Sequence, residues 1–570
     1  MLTTSVFELC LLTVLYWLLD RAVRRDGWQQ LLSGPAPQAA STGLLTWSLP
    51  FLLLAPVCPW SIIPHDQAVR LICGGLAVML TWKAVTKDVD PVVGTTHGPH
   101  RIALVICCGG VFMSPALVFV VLYLLTHPFR LWEHHATLPM RSLLASAAFL
   151  LAATVSHQAA GSAQRTLFAT ATPLMFFLVV MQVSHYWITA FAKAWLGPKW
   201  YSWVTDNQLH HLAASAYSWG WARFLPWTTW RNVIRVLRVT EKPMQLMGFG
   251  VELLAPLALL DVRLAIGFSV AWSLFHLGVF AVSGLLFWDW IVTDLIIAAA
   301  LLTMPSSAAA AAFGALPLLL GVVFMAVFPL RHRLWKPMPL GWWDTPLTQR
   351  MHWIAETDAG TQLGVYNNLM CPHERLYGKV HACFLAPKAG VSYHLGEVWK
   401  RDLRDKIRAA GPNAAAIDRI REQHGVIVRD EALAAAHLDY LRRFFFEMNQ
   451  GTRKWILPRF LRWLKAPGDQ IFYWGELPAY RGQQTIRKVH LVYREEYFDG
   501  NALIRLTEQH VATVDITAAC GHICCRPEPT PKQIDDLLMA AAVGRIIDLP
   551  DFANGYTRGD DGKAAAATAG

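Results

Sequence analysis

The chain has 570 residues, 54% of them hydrophobic and only 16% charged, with 25 tryptophans. Soluble globular chains carry about 25% charged residues, so a chain that is water-soluble throughout is excluded. The formal net charge of +10 sits largely in short basic loops between apolar runs, where it orients membrane segments, and it gives no reason to invoke nucleic acid. Apolar runs dominate before residue 330 and charged–apolar alternation dominates after it. This pattern predicts a polytopic α-helical membrane domain over residues 1–335 with about 8–10 transmembrane helices, a mixed α+β extramembrane C-terminal domain over 336–555, and a disordered tail over 556–570.

In chain order, the expected spans lie near residues 3–19, 43–63, 68–85, 102–125, 142–157, 167–193, 244–260, 262–300 (one span or two) and 308–330. The first lacks a basic leading region and runs into Asp20-Arg-Ala-Val-Arg-Arg25 instead of a small-residue cleavage site, so it reads as a retained span. Arg21, Arg24 and Arg25 place that end at the cytoplasm. Histidine is frequent in this half, at positions 65, 97, 100, 127, 134, 135, 157, 185, 210, 211 and 276. Membrane di-iron oxygenases need such residues clustered at helical spacing. This chain does not supply those clusters, so most of these histidines read as interfacial loop residues, and a metal-dependent oxygenase stands as a lesser alternative with no metal ligands assigned.

Lys193 closes an apolar run, Leu167 to Ala192, that contains no Asp, Glu, Lys or Arg. A lysine there is either an anchor whose amine reaches the headgroups or a piece of chemistry. Glu252 and His276 lie in the apolar segments that follow, and each is costly to bury without a partner. Convergence of Lys193, Glu252 and His276 in the bundle interior, around an apolar cavity, is the expectation that turns the balance toward function.

Beyond residue 336, Lys379–Leu385 and Lys488–Tyr493 alternate as half-buried strands do, and 397–409 and 431–447 carry helical spacing. The stretch 451–465 mixes basic and aromatic residues as an interfacial helix does, or as a basic helix packed on its own domain. Cys10, Cys58, Cys73, Cys107 and Cys108 read as small buried hydrophobes. Cys520, Cys524 and Cys525 surround His522, but Cys371-Pro-His373 supplies no matching second half for a structural zinc site. Arg331, Arg333 and Lys336 argue for a cytoplasmic C-terminal domain.

The ordered set Tyr186-Trp-Ile-Thr-Ala-Phe-Ala-Lys193, Trp200, Glu252-Leu-Leu-Ala-Pro256, Phe275-His276, Gly284 and Phe287-Trp288 resembles the vitamin K-dependent γ-carboxylases and the wider bacterial group that shares their transmembrane domain, the HTTM group. The resemblance spans residues 180–295. It implies an integral, multi-pass protein of the bacterial inner membrane acting on a lipophilic small molecule, reduced vitamin K or another quinol, with O2 and CO2 as co-substrates and a peptide or protein as acceptor. It makes Lys193 the catalytic base, which fits the chemistry: a lysine held out of water can stand as the neutral amine that a base must be. It gives His276 and Glu252 the task of orienting that base, matches His157 to a histidine that assists carboxylation, and places Tyr186, Trp200 and Phe275 around the quinol. It also puts the C-terminal domain on the extracytoplasmic side, against the loop charges. The first 150 residues and the small C-terminal domain lack the propeptide-binding elements of the animal enzymes, so the resemblance bears on the membrane fold and a quinol pocket more than on peptide carboxylation. The main rival is a non-catalytic membrane scaffold or peptide-maturation and export partner in which the same polar residues only fix helix packing.

Overall fold

Proline and glycine punctuate the apolar half into separate helices. The computed structural model describes residues 2–24, 67–87, 98–126, 129, 137–160, 167–327, 334, 335, 337, 340–366, 385–392, 394–425, 431–451, 457 and 459–516. The helices of the first half are α1 (Leu2–Arg24), α2 (Gln67–Thr86), α3 (Gly98–Val111), α4 (Leu117–Thr126), α5 (Thr137–Ala160), α6 (Thr172–Ala194), α7 (Ser202–Asp206), α8 (Leu209–Trp219), α9 (Trp227–Leu253), α10 (Val262–Ser283), α11 (Trp288–Leu302), α12 (Ser306–Ala312) and α13 (Ala315–Val327). Among the described residues, α2, α5, α6 and α10 are long and apolar enough to cross a bilayer, and the bent pair α12–α13 makes a fifth if counted as one span.

The 262–300 region is two helices, with Gly284 ending α10 in the left-handed conformation at φ 74°. The expected span at 244–260 is instead the last part of the 27-residue α9, which begins at Trp227, followed by a 3-10 turn over Ala255–Leu259. Pro256 lies inside that turn and lacks the N–H that a continuing α-helix would need. The span expected at 43–63 lies outside the described residues. So do residues 379–384 of the strand expected over 379–385, the cysteines at 58, 371, 383, 520, 524 and 525, and the tail. Of the other apolar-half cysteines, Cys73 and Cys108 are buried, Cys107 is half-buried, and Cys10 is exposed rather than buried.

Helix α6 is the axis of the bundle. Pro173 near its start removes one of the amides that would lack an intrahelical acceptor there, and its apolar window is 89% buried, against 33% for α10. Helix α10, capped at its start by the Asp261 carboxylate on the Arg263 amide (2.7 Å), therefore lies at the periphery. It presents Leu264, Val270, Leu274 and Leu277 outward.

The second half is built on a four-stranded antiparallel sheet in the order β3-β2-β5-β6, from β2 (Leu347–Thr357), β3 (Gln362–Val365), β5 (Ile486–Phe498) and β6 (Leu503–Asp515). A two-residue pair, β1 (Trp343–Asp344) with β4 (Glu397–Val398), lies beside it. Helices α14 (Arg401–Ala410), α15 (Ala414–His424) and α16 (Glu431–Asn449) complete the domain. Strand alternation sorts the sheet. Met351, Trp353, Ala355, Leu491 and Tyr493 form a core with Leu441, Phe444, Phe445 and Met448 of α16, while the alternate residues of β2 and β5 turn toward the bundle. There Trp219 Nε1 donates to Thr348 Oγ1 (3.0 Å), and Ser218 donates to the Glu496 carboxylate.

The two halves are strapped together by residues 464–475. Trp82 Nε1 donates to the Leu464 carbonyl (2.6 Å), the Ala466 amide to Thr86 Oγ1 (3.0 Å), and the Ile471 amide to the Gly284 carbonyl (2.9 Å). Lys83, buried at the end of α2, pairs with Asp289 (2.6 Å) and with Asp469 of the strap (3.3 Å). Just before Leu464, a 3-10 turn over Arg459–Leu464 leaves Phe460 and Trp463 exposed. The rest of the basic–aromatic stretch, residues 452–456 and 458, lies outside the described residues.

Past the strap, Glu476 is held by Arg494 (2.8 and 3.1 Å), Arg505 (3.3 Å) and Arg223 (3.5 Å). Burial works against its charge, yet the hydrogen bonds and charge of Arg494, and then the charges of Arg223 and Arg505, lower this carboxyl from 4.5 to about 2. A carboxyl depressed in the folded state stabilises it fully above the unfolded value and loses that contribution as pH falls through the folded one. Melting temperature should therefore decline between pH 4.5 and about 2, and Glu476→Gln should flatten the decline. An unchanged acid limb in that variant would mean the cluster contributes nothing.

Candidate functional site

Four polar residues at spacings of four, three and four, Gln182, Tyr186, Thr189 and Lys193, fall on one face of α6, and all are buried. A second buried face on α9, made by Glu241, Gln245, Gly248 and Glu252 at the same spacings, meets the end of α6. Lys193 and Glu252 pair there. Nζ lies 2.7 Å from both carboxylate oxygens, with the lysine 7% and the glutamate 2% exposed. The Trp203 ring of α7 covers the amine with its centroid at 4.5 Å, and the Phe275 ring of α10 stands at 5.7 Å. Aromatic faces are favourable neighbours for an ammonium.

The chain around Lys193 is closely fitted. Gly341 lies against the α6 backbone so tightly that a Cβ there would stand 2.8 Å from the Ala192 carbonyl carbon. Trp203 Nε1 donates to the Trp342 carbonyl (2.9 Å). The pair thus sits where the apolar bundle ends and the second half begins, with Trp195, Trp200 and Tyr201 exposed beside it.

Two turns back along α6, Tyr186 is the hub of a second polar group. Its hydroxyl donates to Asp294 Oδ2 (2.7 Å) and contacts His276 Nε2 at 2.9 Å. Because the phenolic proton goes to the carboxylate, His276 is the donor in the second contact and carries its proton on Nε2. Gln182 Nε2 donates to the other oxygen of Asp294 (2.7 Å). The phenol ring stacks on Trp272 at 4.3 Å between centroids, and Trp290 stands edge-on at 6.0 Å. Helices α6, α10 and α11 are thereby joined by a continuous chain from His276 through Tyr186 to Asp294 and Gln182.

Of the residues expected at the site, the structure brings together Lys193 with Glu252 and, separately, Tyr186 with His276. Phe275 stands against the amine, between the two groups. Trp200 does not reach the pair; it is exposed, with its ring 6.0 Å from Phe249. His157 is not part of the site either. Arg141, near the start of α5, lies 3.4 Å from His185 of α6, and Phe149 further along α5 meets Phe168, just before α6, at 5.8 Å between centroids, so the two helices run antiparallel. His157 is sixteen residues further along α5, a displacement of roughly 24 Å away from the Lys193 end, and it is exposed. His210 and His211 are not loop residues: both are buried on α8, and His210 Nδ1 pairs with Glu241 Oε2 at 2.8 Å.

Asp294 and Trp203 are the residues that sequence reasoning missed. Asp294 had a signal, since a carboxylate inside the apolar run 288–302 calls for a partner as much as Glu252 does. Trp203 had none, because only the five-residue turn of α7 brings it over the amine.

Among the described residues, no three His, Cys, Asp or Glu side chains gather as a metal site. No family model, no curated protein and no solved structure matches the chain.

Proposed function

We propose that the chain is an integral membrane enzyme, of the γ-carboxylase-like kind and of the bacterial inner membrane, in which the Lys193–Glu252 pair moves a proton from a lipophilic substrate of the quinol type. The observation that carries this reading is the pair itself: a lysine and a glutamate from two helices, both buried, with aromatic rings over the amine. Membrane insertion is supported by the outward-facing leucines of α10 and by the exposed Trp195, Trp200 and Tyr201 at the end of α6, a composition typical of the interfacial belt.

The residues present fit an aromatic substrate. Trp203 and Phe275 bring two aromatic rings within 4.5 and 5.7 Å of Nζ, and a fused ring stacked against them would turn its hydroxyl toward the amine. A quinol supplies a weakly acidic hydroxyl and, with O2, an oxidation that side chains alone do not provide. Lys193 accepts the hydroxyl proton once it has passed its own to Glu252, an exchange that two groups 2.7 Å apart make without moving. His276, Tyr186 and Asp294 hold the helices that carry the amine and the Phe275 wall in register. Carboxylation of a peptide or protein by CO2 is the downstream use that the resemblance suggests.

A second reading has an observation in its favour. Both oxygens of Glu252 already satisfy the amine, as they would in a scaffold or maturation partner where the pair only fixes helix packing. Oxygen consumption by detergent-purified protein given reduced vitamin K or another naphthoquinol separates the two. The enzyme reading expects uptake by the parent and none by Lys193→Met. No uptake with any quinol, from folded protein, supports the scaffold.

A further inference from the structure

Strand β2 buries a positive charge that finds no hydrogen-bond acceptor among the described residues. Arg350 and His352 lie two residues apart and share the sheet face opposite the Met351–Trp353 core. The Arg350 side chain is 10% exposed, and its ion-pair neighbour among the described residues, Glu496, is 3.8 Å away, beyond hydrogen-bond range. Arg350 Nε and His352 Nδ1 are both buried without a partner.

The neighbouring charges are otherwise engaged. Arg494, across the ladder from Arg350, donates to Glu508 (2.7 Å) and Glu476. Arg223 donates to the Tyr217 carbonyl (2.7 Å), and Arg505 lies on Glu476 and Glu508. Burial, and then Arg350, Arg494, Arg223 and Arg505, bring His352 down to about 2, so it is neutral. Among the described residues, four guanidiniums thus face three carboxylates, Glu476, Glu496 and Glu508, and the one without hydrogen bonds, Arg350, has a side chain only 10% exposed.

A buried charge with unmade hydrogen bonds is strongly disfavoured unless something completes it. A guanidinium presents a planar fork of donors that matches an oxyanion. The neutral imidazole beside it can accept a hydrogen bond, which a hydrogen phosphate offers through its P–OH and a carboxylate does not. We propose that Arg350 and His352 form a binding site for a phosphate group, with the oxyanion on the guanidinium and the P–OH on the imidazole. Glu476, half-exposed at the solvent edge of the cluster and held by Arg494, Arg505 and Arg223, is the fixed negative charge that such a group must meet on entry. A free phosphate ester and a phospholipid headgroup share this chemistry. The site does not depend on the enzymatic reading.

The test is the melting temperature of the detergent-purified full chain, titrated with inorganic phosphate against chloride and acetate at equal ionic strength. Phosphate should raise it saturably, as a ligand of the folded state does, and the other anions should not. Arg350→Gln should abolish that response, because the fork of donors that holds the oxyanion is gone. Glu476→Gln should tighten apparent phosphate affinity by about tenfold, the removal of one opposing charge. Lysophosphatidic acid in mixed micelles, run alongside, supports a lipid headgroup if it acts at lower concentration than free phosphate and a soluble ester if it does not. Equal responses to phosphate and acetate, or a full phosphate response in Arg350→Gln, would overturn the proposal. Should Arg350→Gln fail to fold, unchanged affinity in Glu476→Gln overturns it alone.

Discussion

Lys193→Met should destabilise the protein by about 3–5 kcal/mol, the cost of leaving one member of a buried ion pair without the other. Glu252 is 2% exposed, and both of its oxygens lie 2.7 Å from the lysine amine. Methionine fills much of the same volume but gives that carboxylate nothing. The double variant Lys193→Met/Glu252→Met should recover most of the loss, since replacing a buried ion pair by apolar side chains of similar size is often neutral or better. Thermal or denaturant unfolding of the three variants checks this. If the single variant is as stable as the parent, the pair is wetter than its burial implies. If the double variant stays as unstable as the single one, the loss comes from packing and not from charge.

Tyr186→Phe should lower stability by about 1.5–3 kcal/mol, the worth of a hydrogen bond to a charged group, while keeping the stack on Trp272 at 4.3 Å. The hydroxyl is the common member of two contacts, to Asp294 at 2.7 Å and to His276 at 2.9 Å, so its loss removes the polar link from α6 to α10 and leaves Gln182 alone on Asp294 of α11. Quinol-dependent oxygen uptake should fall by about a hundredfold, the cost of displacing the amine and the Phe275 wall by about an ångström. Its pH profile should shift as well, which a purely packing role for the hydroxyl does not require. Retention of the parental rate and profile would confine this group to structure.

The sequence made much of the apolar half legible because its grammar is simple, although the run expected as one span at 102–125 is two shorter helices, α3 and α4. Apolar runs are helices, Gly-Pro after Lys193 stops α6, and Gly284 divides α10 from α11. The α9 boundary was misread since a hydropathy window sees only the apolar part of a helix whose first half carries Arg231, Arg235 and Arg238 on the outside. Lys193 and Glu252 were legible as burdens needing partners and were expected to meet in the bundle interior, but the separation of His276 from them was not legible. Which charges meet depends on the rotation of α9 against α6, and no residue spacing encodes that. His276 was expected beside the lysine and lies instead with Tyr186, because Asp294 on α11 offers that group its acceptor. The Arg350 cluster was invisible for another reason. Its members come from β2, β5, β6 and the turn after α8, and only strand register makes them neighbours.

The most direct measurement is quinol-dependent oxygen uptake by Lys193→Met/Glu252→Met beside the parent, each first shown to be folded. A stable double variant with no uptake, next to a parent that consumes oxygen, is the result expected if the pair is a proton-transfer site and not a helix fastener. Equal rates from the two proteins would contradict that claim.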